Sequence, residues 1–306
     1  MIRKTLAVLA LVTLAACAGN KSAKETLTDE QFLDLMEQEH LGYMWDGAAP
    51  NSGMAPERIH MDGVYPENDA DIIAVGGSGF GIAGLIAGME RGYVTREEGV
   101  DRLRKIVDFL STADTFHGAF PHWLRDSAGK VKPFGKKDDG GDLVETSFLM
   151  EGLLIARQYM SKDNVKEREL AADIDRLWRN VEWDWYQKGT TDKYYWHWSP
   201  NYGWEMNFAL EGYNECLITY ILGASSPTHP IDPEAYHKCW ARSGGIVSDK
   251  QQYGLPLVLR YNGAEEWTGP LFWSHYSYIG LCPKGLKDRY ADYWKLVCNH
   301  AKIHYN

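Results

Sequence analysis

The stretch from Asp138 to Leu154 constrains the fold more than any other part of this chain. Asp142 stands at a helix N-cap position and Glu145 follows three residues later, as in a capping box, so a helix begins here. The residues after Asp142 are apolar on nearly every side of that helix. A helix that is apolar all round is buried among other elements. We therefore predict an inner helix of a helical protein.

Three carboxyl groups lie at the start of this predicted helix. Asp142 and Glu145 are one turn apart on the same face, and Asp138 lies in the loop just before them. Negative charge is costly in a buried position. The cluster is therefore either a functional site or a set of capping carboxylates that complement the helix dipole. The residues alone leave both interpretations open.

The beginning of the chain has the pattern of a bacterial lipoprotein signal. Arg3 and Lys4 precede an apolar stretch over residues 6–14 that is too short to span a bilayer, and Cys17 follows two alanines as in a lipobox. We expect lipidation of Cys17, with a plain signal peptide cut near Ala16 as the alternative. No later stretch is long and apolar enough to predict a transmembrane helix.

This signal predicts the organisation of the chain. We expect a signal peptide over residues 1–16, a polar tether over residues 17–27 and one domain over residues 28–306. The domain would then be soluble and held at the bacterial cell envelope by its lipid, facing the periplasm or the outside.

The charge balance argues against several kinds of partner. The chain has 32 Lys and Arg against 42 Asp and Glu, and removal of residues 1–16 would change the net charge from −10 to −12. An acidic surface disfavours nucleic acids and anionic polymers. The 12 Trp and 18 Tyr suit the flat faces of sugar rings, although most aromatic side chains belong to a core. We expect a monomer that binds carbohydrate.

Four cysteines remain besides the predicted lipidation site. They are Cys216, Cys239, Cys282 and Cys298. In an oxidising compartment they allow three pairings. All four lie in segments with a helical pattern, so we predict buried free thiols.

Glycines 79, 81 and 84 have the G-x-G-x-x-G spacing of a dinucleotide-binding loop. A Rossmann unit needs a second strand after the helix, but residues 95–110 have the pattern of another amphipathic helix. We therefore interpret the glycines as a small-residue face that lets inner helices approach closely, with no nucleotide bound.

Apolar and amphipathic helical segments alternate along the chain. Inner helices are predicted over residues 142–154, 204–215 and 267–279, and outer helices over residues 28–47, 95–110, 164–183, 232–240 and 287–300. Long loops with Trp, His and carboxylates precede the inner helices. This alternation predicts an all-α fold of about nine helices, arranged as an α/α toroid with its ligand site where the inner helices begin.

The aromatic loops and the inner helices supply the candidate carbohydrate-binding residues. These are His122, Trp123, Trp196, Trp198, Trp204, Glu211, Tyr213, Asn214 and Trp273. The sequence has neither the ligand spacing of a metal site nor a nucleophile elbow, so we predict no metal and no cofactor. His122, His197 and His275 are expected to form hydrogen bonds in loops.

Several separate blocks, in this order, resemble one family. The blocks are residues 76–92, 95–97, 117–123, 141–146, 157–159 and 212–215. Together they resemble the bacterial glycoamylase-like proteins, glycoside hydrolase family 144, which are β-1,2-glucanases. The resemblance covers about residues 28–305.

The resemblance implies a six-hairpin α/α toroid that cleaves β-1,2-glucan to sophorose or short sophoro-oligosaccharides with inversion. It assigns the functional carboxylates to Asp138, Asp142, Glu145 and Glu215. We expect Glu215 to be the general acid, because burial on an apolar helix raises a carboxyl pKa. Asp142 and Glu145 would stay charged near a helix start.

Members of that family continue well beyond the point that matches Asn306, so we expect a toroid that lacks its last hairpins. A lipid-anchored glucan-binding protein without activity is therefore the alternative function. A glucoamylase acting on α-1,4 glucans ranks third.

Overall fold

The computed structural model describes residues 27–65, 69–261 and 267–306. Eight α-helices are present in these ranges: α1 Asp29–Trp45, α2 Val75–Arg91, α3 Arg96–Leu110, α4 Leu143–Tyr159, α5 Val165–Asn180, α6 Leu217–Ser225, α7 Phe272–His275 and α8 Tyr293–Tyr305. The predicted signal peptide, Cys17 and most of the predicted tether lie outside the described residues, so those assignments stay predictions.

Seven short strands accompany the helices in the described part of the chain. They are β1 Ile72–Ala74, β2 Trp123–Arg125, β3 Val131–Lys132, β4 Gly141–Asp142, β5 His197–Trp198, β6 Gln251–Gln252 and β7 Leu255–Pro256. They pair antiparallel as β1-β2-β3, β4-β5 and β6-β7. The protein is thus helix-rich as predicted, and the strands, which the sequence did not reveal, tie loops to the starts of helices.

Helices α2 and α4 form the centre of the core. A Cβ atom added to Gly79 would lie 2.0 Å from the carbonyl oxygen of Phe148, and one added to Gly152 would lie 2.2 Å from that of Gly79. The two backbones therefore pack directly against each other, as expected for Gly79. Gly81 instead faces the Met44 side chain, and Gly84 has open space around it.

Amphipathic helices cover this central pair. Helices α3 and α5 begin with side-chain caps from Thr95 and Asn164. Their apolar faces bury residues such as Leu103 and Ile174. These outer helices lie close to their predicted positions, because caps and a 3.6-residue apolar period are local signals.

The inner helix predicted over residues 204–215 does not form. Apolar residues alternate at every second position from Trp204 to Leu210, which suits an extended chain. The backbone accordingly bonds to a neighbouring segment, with Trp196 N donating to Phe208 O and Leu210 N donating to Tyr194 O. The next helix, α6, begins only at Leu217.

The later predicted helices are shorter than expected. The segment 267–279 contains only α7 and a 3-10 turn over Tyr276–Tyr278, after a Gly-Pro pair that disfavours an earlier helix. The segment 232–240 contains a π-helical turn over Tyr236–Trp240. Helix α8 begins six residues later than residue 287, where Asp292 accepts from Lys295 N as an N-cap.

All four described cysteines are free, as predicted. Cys216 and Cys239 are buried, whereas Cys298 is half-buried and Cys282 is exposed. The expected burial of Cys282 was wrong because the segment around it is a loop and not a helix. Among the described residues, no helix combines the length and apolar character that crossing a membrane requires.

Candidate active site

Asp142 is the centre of a buried polar cluster at the start of α4. Its Oδ1 accepts hydrogen bonds from Val144 N at 3.0 Å, Glu145 N at 2.9 Å and Trp196 Nε1 at 2.8 Å. Its Oδ2 lies 2.9 Å from His122 Nδ1 and 3.6 Å from His197 Nε2. The predicted N-cap is therefore present, and the same carboxylate also joins two aromatic loops.

The ionised form of Asp142 is favoured although the side chain is fully buried. Burial opposes ionisation, but the hydrogen bond with His122 and the charge of His197 lower the pKa of Asp142 below its ordinary value. A carboxylate offers about four lone-pair sites, and five donors surround this one. Asp142 is thus an anionic anchor that orients its neighbours, with no oxygen free for a substrate.

Glu145 does not close the predicted capping box. Its Oε2 accepts a hydrogen bond from Gly76 N, at the start of α2, over 2.9 Å. Burial and the charge of Asp142 raise the pKa of Glu145 to about 7. Desolvation therefore opposes the helix dipole that was expected to keep Glu145 charged, and it favours the protonated form.

Glu215 belongs to the same cluster, although it lies in the turn before α6 and not on a helix. The side chain is half-buried. Burial raises the pKa of Glu215, and the charge of Asp142 adds to the effect. Glu215 in turn raises the pKa of Glu145, and both glutamates lie near the phenol of Tyr276 and raise its pKa. The direction predicted for Glu215 is confirmed.

Two histidines complete the cluster towards the solvent. His197 Nε2 lies 3.3 Å from Asp138 Oδ2. Burial alone would lower the pKa of His122, but its hydrogen bond with Asp142 raises that pKa to about 9. The pKa of His197 is also raised, by Asp138 and Asp142 against the effect of burial. Both rings make polar contacts with these carboxylates, as predicted, His122 from a loop and His197 from strand β5.

An open cleft of about 620 Å³ lies above these groups. It is lined by His122, Phe134, Gly135, Lys136, Lys137, Asp138, Trp196, His197, Met206 and Phe208. Phe134 and Phe208 are largely exposed, and the Phe134 ring lies 4.1 Å from that of His122. Exposed aromatic faces beside charged side chains and ring N–H donors suit the apolar faces and polar edges of sugar rings.

The structure places only some of the predicted carbohydrate-binding residues in this cleft. His122 and Trp196 line it, and Trp123 lies beside it with its ring 4.8 Å from Phe134. Trp198 and Trp204 pack around Trp185 and do not line the cleft.

Four further candidates lie outside the cleft lining. Tyr213 is buried against Trp240, and buried Asn214 accepts a hydrogen bond from Cys216 N. Glu211 is half-buried and Trp273 lies on α7. The prediction placed Tyr213 and Asn214 on an inner helix that does not form, because the chain turns there instead.

Five residues that line the cleft were not predicted from the sequence, namely Phe134, Lys136, Lys137, Met206 and Phe208. A signal was available for Phe134, which lies in a polar loop four residues before Asp138. Phe208 shares its side of the alternating segment 204–210 with apolar residues, so the pattern there gives no signal of exposure. An isolated aromatic residue in a polar loop is a stronger indicator of a binding surface than one in a dense aromatic stretch, which is mostly core.

His122, Asp138 and Asp142 could also hold a metal ion, since their ligand atoms lie within 4.8 Å of one another. His122 with a pKa of about 9 is protonated near neutral pH, so a proton bonded to Asp142 competes with an ion there. The predicted absence of a metal stays a prediction.

A helical core with buried carboxylates beneath an aromatic cleft is the arrangement of carbohydrate-cleaving enzymes. Residues 207–306 match the family model Glycoamylase, described as putative glucoamylase. The chain is 56% identical to a solved putative glucoamylase from Bacteroides caccae, with a TM-score of 0.87 over 90% of this chain and 67% of that one. The chain belongs to the bacterial glycoamylase-like proteins, glycoside hydrolase family 144, which confirms the resemblance.

Two further relatives have names that specify a substrate. The chain is 58% identical to an endo-β-1,2-glucanase from Chitinophaga pinensis, solved with sophorotriose and glucose, with a TM-score of 0.89 over 91% of this chain and 66% of that one. It is 45% identical over 296 residues to an exo β-1,2-glucooligosaccharide sophorohydrolase from Parabacteroides distasonis, covering 90% of this chain and 40% of that protein. The chain thus spans less than two thirds of the length of both.

Proposed function

We propose that this protein is a glycoside hydrolase that cleaves β-1,2-glucan to sophorose or short sophoro-oligosaccharides. The observation that carries the proposal is the joint cluster of Asp142, Glu145 and Glu215, in a chain of this family, which contacts through Asp142 the two histidines that line the aromatic cleft. Glycoside hydrolysis needs one protonated carboxylic acid together with an ionised carboxylate. Glu145 and Glu215, whose pKa values are raised, supply the protonated acid, whereas Asp142, whose pKa is lowered, carries the fixed negative charge that holds its neighbours in place.

Glu215 is the general acid in this proposal. One oxygen of Glu145 is occupied by Gly76 N, whereas Glu215 is half-buried and lies at the edge of α6, where it can give its proton to a glycosidic oxygen. Asp142 acts through its neighbours by holding His122 and Trp196 at the cleft. Asp138 and His197 bind sugar hydroxyl groups at its rim. The stereochemistry implied by the family is inversion.

The helices fit part of an α/α toroid. Helices α2, α4 and α6 begin at the carboxylate cluster, as inner helices of a toroid begin at its ligand site, and α3 and α5 lie outside them. Lipidation of Cys17 and a place in the cell envelope complete the proposal.

A glucan-binding protein without hydrolytic activity is the second candidate. It is favoured by one observation, namely that five protein donors surround Asp142, the ionised carboxylate of the cluster, so that none of its oxygens is free to activate a water molecule. A binding protein would use the same cleft and would not need a general acid.

The test measures hydrolysis and binding on the same sample. Linear β-1,2-glucan and maltooligosaccharides are incubated with the protein, and reducing ends and bound sugar are quantified. We expect new reducing ends from β-1,2-glucan alone. Glu215→Gln should lower the rate of their release about 100-fold or more. Glu234→Gln, at an exposed position, should leave this rate unchanged. Binding without hydrolysis would favour the second candidate, and hydrolysis of maltooligosaccharides would favour a glucoamylase.

A further inference from the structure

Two histidines on α8 converge on a loop that is not part of the cleft. His300 and His304 are one turn apart on the helix, and both Nε2 atoms point towards the carbonyl oxygen of Gly269. His300 is buried, whereas His304 is exposed. None of these residues lines the carbohydrate cleft.

The three atoms form a nearly equilateral triangle. His300 Nε2 lies 2.9 Å from Gly269 O, His304 Nε2 lies 3.0 Å from the same oxygen, and the two nitrogens are 2.9 Å apart. The hydroxyl oxygen of Thr268 lies 3.5 Å from His304 Nε2. Four potential ligand atoms from a helix and a loop therefore surround one point.

Hydrogen bonds cannot satisfy all three close contacts. The carbonyl oxygen only accepts, and each neutral imidazole has at most one proton on Nε2. In such a triangle, the directions from one nitrogen to the other two atoms differ by about 60°, whereas a hydrogen bond prefers a nearly straight donor angle. Every tautomer therefore leaves one pair with two lone pairs or two N–H groups facing each other.

A cation resolves this conflict because it attracts all three lone pairs. Ligand atoms about 2.0–2.1 Å from a metal ion lie about 2.9 Å apart when they are at right angles and about 3.3 Å apart in the tetrahedral geometry of Zn²⁺, so the spacing observed here suits the tetragonal or octahedral geometry of Cu²⁺ and Ni²⁺ best. Imidazole nitrogen favours Zn²⁺, Ni²⁺ and Cu²⁺, and two histidines four residues apart on one helix face are a known zinc-binding pair.

We propose that His300, His304 and the carbonyl oxygen of Gly269 bind a divalent transition-metal ion of this class. The hydroxyl group of Thr268 and water complete its coordination. The ion fastens the end of α8 to the loop that precedes α7, and it stabilises the folded state because the unfolded chain does not bring these atoms together.

The test uses metal-free protein without a histidine tag. Calorimetric titrations with ZnCl₂ and NiCl₂ give the number of bound ions, and the electron paramagnetic resonance spectrum with Cu²⁺ reports nitrogen ligands. We expect one bound metal ion per chain. His304→Ala should lower the affinity for this ion about tenfold or more. His40→Ala, which changes an exposed histidine on α1, should leave the affinity unchanged. His304 is exposed, so its loss spares the core.

The carbohydrate cluster offers a competing site, so His122→Asn is titrated in parallel. If His122→Asn still binds the metal ion and His304→Ala does not, the site lies on α8. Equal binding by wild type and His304→Ala, loss of the bound ion only in His122→Asn, or no binding of Zn²⁺ or Ni²⁺ by wild type would overturn the proposal. MgCl₂, a hard cation that prefers oxygen ligands, should not compete.

Discussion

The backbone N–H of Gly76 donates a hydrogen bond to Glu145 Oε2 over 2.9 Å, although the two residues are 69 positions apart. Both lie in the first turn of a helix, α2 and α4 respectively. The positive end of α2 therefore favours a charged Glu145, whereas burial and Asp142 disfavour it and raise its pKa to about 7. The balance keeps both protonation states of Glu145 populated near neutral pH.

Gly76→Ala should disturb the carboxylate cluster. An added Cβ would lie 2.4 Å from Glu145 Oε2 and 3.2 Å from the Phe148 ring, so the glutamate has to move and loses its bond to α2. We expect a loss of glucan hydrolysis of about tenfold or more, since misplacement of a cluster by about 1 Å has such an effect. The initial rate of reducing-end release measures it.

Gly84→Ala is the matched control, because it lies on the same helix and an added Cβ meets nothing within 4 Å. Alanine favours the helix over glycine by about 1 kcal/mol, so this variant should be at least as stable as wild type and fully active. Equal activity of Gly76→Ala and Gly84→Ala would show that the Gly76 contact does not position Glu145.

The sequence revealed those parts of the site that local signals encode. Asp142 was recognisable as an N-cap because the cap, the acidic residue and the apolar run follow one another. The partner of Glu145 was not recognisable, since Gly76 joins it only after the chain has folded. The capping box and the contact with Gly76 are equally compatible with the local sequence.

The segment before α6 shows the same limit. Residues 204–215 contain apolar residues at both helical and extended spacing. Hydrogen bonds between the backbone of this segment and the backbone of Tyr194 and Trp196 stabilise the non-helical conformation. Glu215 was therefore placed in the right cluster on the basis of the family, but on the wrong element. Outer helices α3 and α5, whose caps and apolar faces are local, were predicted well.

Gly79→Ala should destabilise the core. Its Cβ would lie 2.0 Å from a backbone oxygen of α4, which cannot move without separating the two helices. We expect a loss of unfolding free energy of about 1–3 kcal/mol or more, measured by urea denaturation. At Gly81 the nearest atom is Sδ of Met44 at 2.9 Å, on a flexible side chain, so Gly81→Ala should cost less. The reverse order would contradict the packing described for α2 and α4.

Asp142→Asn should lower the pKa of His122 towards its ordinary value. The aspartate raises that pKa to about 9 through a hydrogen bond and its charge, and an amide supplies no charge. Loss of the pair also leaves buried donors without their anion, which costs about 3–5 kcal/mol. Titration of the His122 ring by NMR and urea denaturation measure the two effects. An unchanged His122 pKa would mean that Asp142 does not govern it.

Phe208→Ala should weaken glucan binding without harming the fold. The ring is 46% exposed and lines the cleft, and stacking of a sugar on an aromatic face contributes about 1 kcal/mol. We expect an affinity for sophoro-oligosaccharides lowered about fivefold, measured by calorimetry on a Glu215→Gln background that prevents turnover. Phe32→Ala, an equally exposed ring on α1, is the control. Equal affinities of the two variants would remove Phe208 from the binding surface.

Glu151→Gln should flatten the dependence of stability on pH. Glu151 is buried on α4, where one oxygen accepts from Gly280 N at 3.0 Å and Oε2 has no hydrogen-bond partner among the described residues. Burial raises its pKa from 4.5 to about 8. The folded state therefore binds the proton more tightly than the unfolded state, and stability falls as the pH rises from about 4.5 to about 8.

Wild type and Glu151→Gln should differ in how much unfolding free energy they lose as the pH rises, by an amount on the order of a few kcal/mol. Wild type should lose that much more unfolding free energy than Glu151→Gln between pH 5 and pH 9 in urea denaturation. Glu145 contributes a similar slope up to pH about 7 in both proteins, so it cancels from the comparison. Glu234→Gln, at an exposed position, should keep the wild-type profile. Parallel profiles of wild type and Glu151→Gln would mean that water or another donor reaches Oε2 and keeps the carboxylate solvated.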